Sequence, residues 1–188
     1  RELRSLYLPP FEKAVKEANV YSVMPSYNEI DGIPAHANAF LLSKVLRGEW
    51  DFKGYVFSDY TAVWRLFGLH KVAETVADAG KIALMAGVDL EASRATAFSH
   101  LPELVKKNLV DKKYIDQACR RILTVKFKAG LFDKPYPDPE KLKRNIHTKP
   151  HIEMAQRLAE ESAILLKNEN NLLPLDIKKI NSIAVIGP

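Results

Sequence analysis

Apolar positions along the chain alternate between short β-rich runs and stretches at helical spacing, and this alternation sets the expected elements. Residues 1–18 carry apolar groups on a helical period broken by Pro9-Pro10, which must kink or restart the helix. Asn19 to Met24 reads as a strand ending in Pro25-Ser26-Tyr27-Asn28, followed by a turn-rich loop from Glu29 to Pro34. The stretch Ala35 to Arg47 places Leu41, Leu42, Val45 and Leu46 on one helical face and stops at Gly48. A second strand, Tyr55 to Ser58, ends at Asp59-Tyr60. A small-residue helix over Ala73 to Ala86 then leads to a third strand, Gly87 to Glu91. Three strand and helix alternations predict parallel βα units, an α/β fold in which the C-terminal strand ends carry the chemistry.

Beyond these units, Asp111 can cap a helix running to Ala129, with Ile115, Ala118, Ile122 and Val125 as its buried stripe and Gly130 as its stop. Leu131 to Pro150 holds four prolines and many charges and reads as a linker between domains. His151 to Asn168 returns to helical spacing, and Ser182 to Ile186 reads as a strand. A chain that opens inside a helix and closes on a single strand is expected to be a piece of a longer protein, because a lone strand leaves a ladder of backbone groups unpaired.

Composition narrows the function classes. The 188 residues include 47% hydrophobic and 27% charged residues, an ordinary globular mixture, and no apolar run approaches the roughly 18 residues of a membrane span. Membrane partners are therefore not expected. The net charge of +5 is local: residues 103–149 hold 13 basic and six acidic residues. The paired lysines and arginines there lack interleaved aromatics, which points to a solvated helix face and away from nucleic acid. The single Cys119 has no partner for a disulfide or a zinc site.

Asp59 is the sharpest chemical signal, a carboxylate at the end of an apolar strand. By position it either caps the following helix or acts in a cleft. Tyr27 and Asn28 end the preceding strand; a Tyr hydroxyl there could hold and orient Asp59, or the pair could serve packing and turn formation. Glu29, Asp31, His36 and Asn38 include ligand-type side chains, but their spacing fits no calcium loop or two-histidine zinc helix, so no metal and no cofactor are expected. His70, His100, His147 and His151 read as surface histidines. Asp89 reads as structural, and Glu91 could line the cleft or bind backbone donors.

Val23-Met-Pro-Ser-Tyr-Asn28, Gly32-Ile-Pro-Ala-His-Ala-Asn38 and Leu46-Arg-Gly-Glu-Trp-Asp-Phe-Lys-Gly-Tyr-Val-Phe-Ser-Asp-Tyr60 together resemble glycoside hydrolase family 3, the β-glucosidase and β-xylosidase family. The likeness continues through Ala86-Gly-Val-Asp-Leu-Glu91, Arg121-Ile-Leu, Gly130-Leu-Phe, Glu161-Ser-Ala-Ile-Leu-Leu-Lys-Asn168 and Leu172-Leu-Pro-Leu175. It implies a TIM-like (β/α)8 barrel followed by an α/β sandwich. On that pattern residues 1–130 are the last three βα units of the barrel, 131–150 the interdomain linker, and 151–188 the truncated start of the sandwich with its first strand.

The resemblance further implies that Asp59 is the nucleophile, that Tyr27 contacts it, and that Met24 and Tyr60 line the sugar site. Tyr60 stands where many members have Trp. The family's sugar-binding arginine and Lys-His pair would precede Arg1, and its acid/base glutamate would follow Pro188. The implied partner is a β-linked oligosaccharide or glycoside, together with the missing parts of the parent chain. The implied activity is that of a retaining exo-β-glycosidase acting on terminal β-D-glucosyl residues, with β-xylosidase as the alternative. A non-catalytic carbohydrate-binding module on the same scaffold is the reading from another class. The 188 residues alone are expected to be inactive.

Overall fold

Pro9 and Pro10 decide how the chain begins, because a proline fits the first turn of a helix and not its interior. In a computed structural model that describes residues 1–187, a wide-wound turn, Leu3–Tyr7, gives way to α1, Pro9–Lys16. The chain then enters β1, Ser22–Val23, which pairs in parallel with β4, Tyr55–Val56. Gly54 opens β4 where a Cβ would lie 2.2 Å from the Tyr21 carbonyl oxygen, so only glycine allows this approach of the two strands.

The loop after β1 is more ordered than its composition suggests. Glu29–Ile30 (β2) and Ile33–Pro34 (β3) form an antiparallel hairpin across Asp31-Gly32. Both turn residues have positive φ, 51° and 76°, the combination that Asp-Gly supports in a two-residue hairpin loop. The helix expected over Ala35–Arg47 is instead a short turn, Ala35–Ala37, and a separate wide-wound helix, Phe40–Glu49. Asn38 causes the break: its side-chain oxygen accepts the Leu41 N–H and its carbonyl accepts the Leu42 N–H, so a new helix starts there. Gly48 lies inside that helix and does not stop it.

After β4 come α2, Ala62–Gly68, the helix that follows Asp59, and α3, Val76–Ala86, which starts at the Thr75 cap and not at Ala73. The Thr75 hydroxyl accepts the Asp78 N–H, fixing that start. The expected third strand shrinks to one parallel bridge between Phe57 and Leu90. Around it, Val56 O takes the N–H groups of both Asp89 and Leu90, and the flanking carboxylates bind other elements, so no longer ladder forms. Leu42, Val45, Val56, Val63, Leu66 and Val88 are the buried centre of the core. A smaller cluster joins Leu84 to Leu101 and Leu104 of α4, Leu101–Lys106, Ala118 of α5, Lys112–Lys128, and Val110 in the turn between them. Asp111 caps α5 through the Lys113 N–H and Gly130 follows it at positive φ; of the expected stripe only Ala118 is fully buried.

The structure divides into two units, Arg1–Pro135 and the stretch from Tyr136 onward. Within the second lie α6, Pro139–Asn145, inside the segment expected to be a plain linker, and α7, Lys149–Ser162. Asp138 accepts the Glu140 and Lys141 N–H groups, which is enough to start α6 locally. The helix expected to reach Asn168 ends at Ser162, where Ala163 turns extended, because no packing holds the apolar run that follows. Ser182–Ile186 forms no strand: Val185 and Ile186 are fully exposed and no neighbouring strand offers a ladder. Pro188, the last residue of the expected sandwich start, lies outside the described residues.

Candidate active site

The parallel pair β1 and β4 brings the ends of two strands side by side, and this register places Tyr27 next to Asp59. The Tyr27 hydroxyl sits 2.8 Å from Asp59 Oδ1 and 2.7 Å from the Tyr60 carbonyl oxygen, so its one proton is shared between two acceptors. Asp59 Oδ1 also accepts the Tyr60 N–H at 2.7 Å. Asp59 Oδ2 has no hydrogen-bond partner among the described residues. The carboxylate is thus anchored through one oxygen and open through the other.

The backbone of Asp59 is held as firmly as its side chain. Its N–H donates to His36 Nε2 at 3.1 Å, and its carbonyl accepts from the buried Ser58 hydroxyl at 3.0 Å and from the Ala62 N–H at 3.2 Å. Ser58 Oγ in turn accepts the Ala92 N–H, tying the site to the third strand segment. Thr61 then leaves the strand end with φ of 59°, a strained value for a β-branched residue. The Arg65 guanidinium lies 4.0 Å from the centre of the Tyr27 ring, a cation over an aromatic face.

Electrostatics follow from these contacts. Accepting its hydroxyl proton, Asp59 pushes the Tyr27 phenol above its ordinary value, with burial adding to the effect. Burial pushes His36 down to about 4, against the attraction of the Asp59 charge, so the ring is neutral at neutral pH and Nε2 can accept. A neutral imidazole carries its proton on the other nitrogen.

Of the residues singled out from sequence, Asp59, Tyr27 and the Tyr60 backbone converge, while the Tyr60 side chain stands 62% exposed. Met24 is 55% exposed and makes no part of this cluster. It borders a groove of about 850 Å³ beside α1 and the helix Phe40–Glu49, lined by Leu8, Val23, Leu42 and Trp50 and not by Asp59. Glu91 binds the N–H groups of Ala97 and Phe98, and burial raises its pKa; it serves backbone donors and not the cleft. His70 is not a surface histidine: its side chain is largely covered, and Nδ1 meets Glu29 Oε1 at 2.7 Å. Sequence reading also missed His36 and Arg65 as neighbours of Asp59. The burial of Ala35-His36 after a hairpin, and the placement of Arg65 on the helix that follows Asp59, are signals only once the turn geometry is known.

The described residues contain no group of three or more His, Cys, Asp or Glu placed to hold a metal, and no described helix is long and apolar enough to cross a membrane.

Residues 1–125 match the family model of the glycosyl hydrolase family 3 N-terminal domain. The chain belongs to glycosyl hydrolase family 3. This family 3 chain is 49% identical to a β-xylosidase of Formosa agariphila, an alignment covering 100% of this chain and 27% of that one. It is 38% identical to a periplasmic β-glucosidase of Salmonella typhimurium, over 97% of this chain and 24% of that one. Among solved structures, a β-glucosidase of Erythrobacter marinus superposes with a TM-score of 0.78 at 47% identity, covering 89% of this chain and 22% of the other. The family 3 chain therefore carries part of a TIM-barrel-like N-terminal domain, and it spans about a quarter of the length of these relatives.

Proposed function

We propose that this chain supplies the nucleophile side of a retaining exo-β-glycosidase that removes terminal β-D-glucosyl residues. It acts within a longer parent enzyme, in which residues 1–130 form the last three βα units of the barrel, 131–150 the linker and 151–188 the start of an α/β sandwich. Asp59 is the nucleophile, Tyr27 its orienting hydrogen-bond donor, and Met24 and Tyr60 border the sugar. The observation that carries this reading is the anchored carboxylate: Oδ1 held by Tyr27 and the Tyr60 N–H, Oδ2 open.

In a retaining glycosidase two carboxyl groups stand about 5 to 5.5 Å apart on either side of the bond to be broken. Asp59 Oδ2 attacks the anomeric carbon and forms a glycosyl ester while the bond to the leaving oxygen breaks. A carboxylic acid from elsewhere in the parent enzyme gives that oxygen its proton, then takes one from the water that cleaves the ester. Donors on Oδ1 fix the direction of Oδ2.

Hydrolysis of β-xylosides is the second reading, favoured by the 49% identity to the Formosa β-xylosidase. Treating the parent enzyme with 2-fluoro-glucoside and 2-fluoro-xyloside inactivators, then mapping covalent sugar by peptide mass spectrometry, tests both. A sugar on the Asp59 peptide is expected, and the faster label names the substrate. A folded protein that takes neither label would return the site to a non-catalytic carbohydrate-binding role or to a different sugar.

A further inference from the structure

His36 is the one imidazole that touches the Asp59 backbone, and the mechanism above leaves it without a task. It lies in the Ala35–Ala37 turn, directly after the Asp31-Gly32 hairpin, and is 2% exposed. The turn is itself fixed: the Ala35 N–H donates to the Asn28 carbonyl at the base of the hairpin, and Asn38 starts the next helix. His36 Nε2 accepts the Asp59 N–H, while the turn that carries the ring is tied to the Asn28 carbonyl. Asn28 immediately follows Tyr27, and Asp59 carries the carboxylate that Tyr27 binds.

We infer that His36 is a positioning residue, an imidazole strut between the turn tethered at the Asn28 carbonyl and the Asp59 backbone, which sets the separation of the Tyr27 hydroxyl from the Asp59 carboxylate. The inference rests on the proposed role of Asp59 as nucleophile. Two parallel strands hold their ends in register only as far as the ladder runs, and here it ends at Val23 and Val56, with Phe57 N–H reaching Val23 O as the last rung. Beyond that rung no backbone–backbone hydrogen bond links the two segments among the described residues, and a rigid planar ring on a tethered turn, accepting the Asp59 N–H, supplies the link. Ser58 cannot do this, since its hydroxyl holds Asp59 toward the third strand and not toward Tyr27. An acceptor at the Nε2 position is what the strut needs, because the Asp59 N–H otherwise stays buried without a partner.

The test compares His36→Phe, which keeps a ring and removes the acceptor, with His36→Gln, whose side-chain oxygen reaches the same region. Both are made in the parent enzyme, with turnover expressed per active site titrated by the 2-fluoro label. His36→Phe is expected to lose about 10²-fold in kcat with KM within about threefold, the signature of displaced reacting groups and not of lost sugar contacts. His36→Gln is expected to recover at least about tenfold of that loss. A folded His36→Phe enzyme with unchanged kcat per titrated site overturns the inference, as does a His36→Gln enzyme no faster than His36→Phe. Should His36→Phe not fold, His36→Ala replaces it: added imidazole raising kcat supports the strut, and no rise overturns it. Failure of the wild-type label to land on the Asp59 peptide overturns the nucleophile reading together with this one, which keeps the two failures apart.

Discussion

Two aspartates on adjacent strand segments have opposite fates. Among the described residues, Asp59 keeps one oxygen free beside a tyrosine, at an exposed strand end, and no cation is bonded to its carboxylate. Asp89, one segment away, has a side chain only 1% exposed and both oxygens taken. Oδ2 receives Arg47 Nη2 at 2.5 Å and the Val56 N–H at 2.8 Å, and Oδ1 receives Arg121 Nη1 at 2.8 Å. Arg47 also donates to the carbonyl oxygens of Phe52 and Gly54, so the Asp89 cluster joins the helix Phe40–Glu49, β4 and α5 in one buried junction. Burial pulls Arg47 down to about 10 while Asp89 opposes the shift, and the guanidinium stays charged at neutral pH. A carboxylate surrounded by two guanidinium groups has no oxygen left to attack anything, whereas one held through a single oxygen by a phenol and a peptide N–H keeps a free lone pair on the other.

Substitution at each site should separate chemistry from architecture. Asp59→Asn in the parent enzyme is expected to lower kcat by at least about 10³-fold with substrate binding retained, as measured by steady-state kinetics and by titration with a competitive sugar. Near-normal turnover in that variant would erase the distinction between the two aspartates. Asp89→Ala should do the reverse. Removing one partner of a buried ion cluster leaves charge uncompensated and costs about 3 to 5 kcal/mol. Denaturant unfolding should show that loss, while kcat per titrated site stays within about threefold of wild type. A large kcat defect without loss of stability would place Asp89 in the chemistry after all.

The sequence made Asp59 visible because a charged residue closing the apolar run Tyr55-Val-Phe57 is conspicuous, and Tyr27 stood at the matching end of the preceding strand. Asp89 was read as structural from its position, and the guanidinium pair supplies the reason. What stayed hidden depends on tertiary distance. Nothing in Ala35-His36-Ala37 says that the ring faces the Asp59 N–H, and nothing in Phe57 to Leu90 says that their pairing stops after a single bridge. The same limit accounts for the later elements. Helical spacing marked α7 correctly at its core, yet spacing carries no information on where uncovered apolar residues such as Ile164 to Leu166 cease to be helical.

Smaller changes sharpen the picture around the open carboxylate. Tyr27→Phe removes the hydroxyl from Asp59 Oδ1 and leaves the Tyr60 N–H in place, so the carboxylate loses one of two anchors. A drop in kcat of about ten- to a hundredfold is expected, with the rate of labelling by the 2-fluoro sugar falling in parallel. Labelling at the wild-type rate would show that the Tyr60 N–H alone holds the carboxylate in place.

The smallest expected effect comes from acid and concerns stability. His36 has an ordinary value of 6.5 when unfolded and about 4 in the folded protein, so between those limits the unfolded chain binds more protons. Its contribution is complete above pH 6.5 and is lost progressively as pH falls toward 4. The groups bearing on the ring are the Asp59 carboxylate, which favours the protonated form, and His70, which opposes it and is itself paired with Glu29. The loss attributable to His36 is on the order of 1 kcal/mol by pH 5.5. Comparing unfolding midpoints of wild type and His36→Gln from pH 7.5 to 5 isolates it, because Gln does not titrate. The two curves should converge as pH falls, since wild type alone loses this increment. Parallel curves would mean that the imidazole is not held neutral, and the acceptor role assigned to Nε2 would go with it.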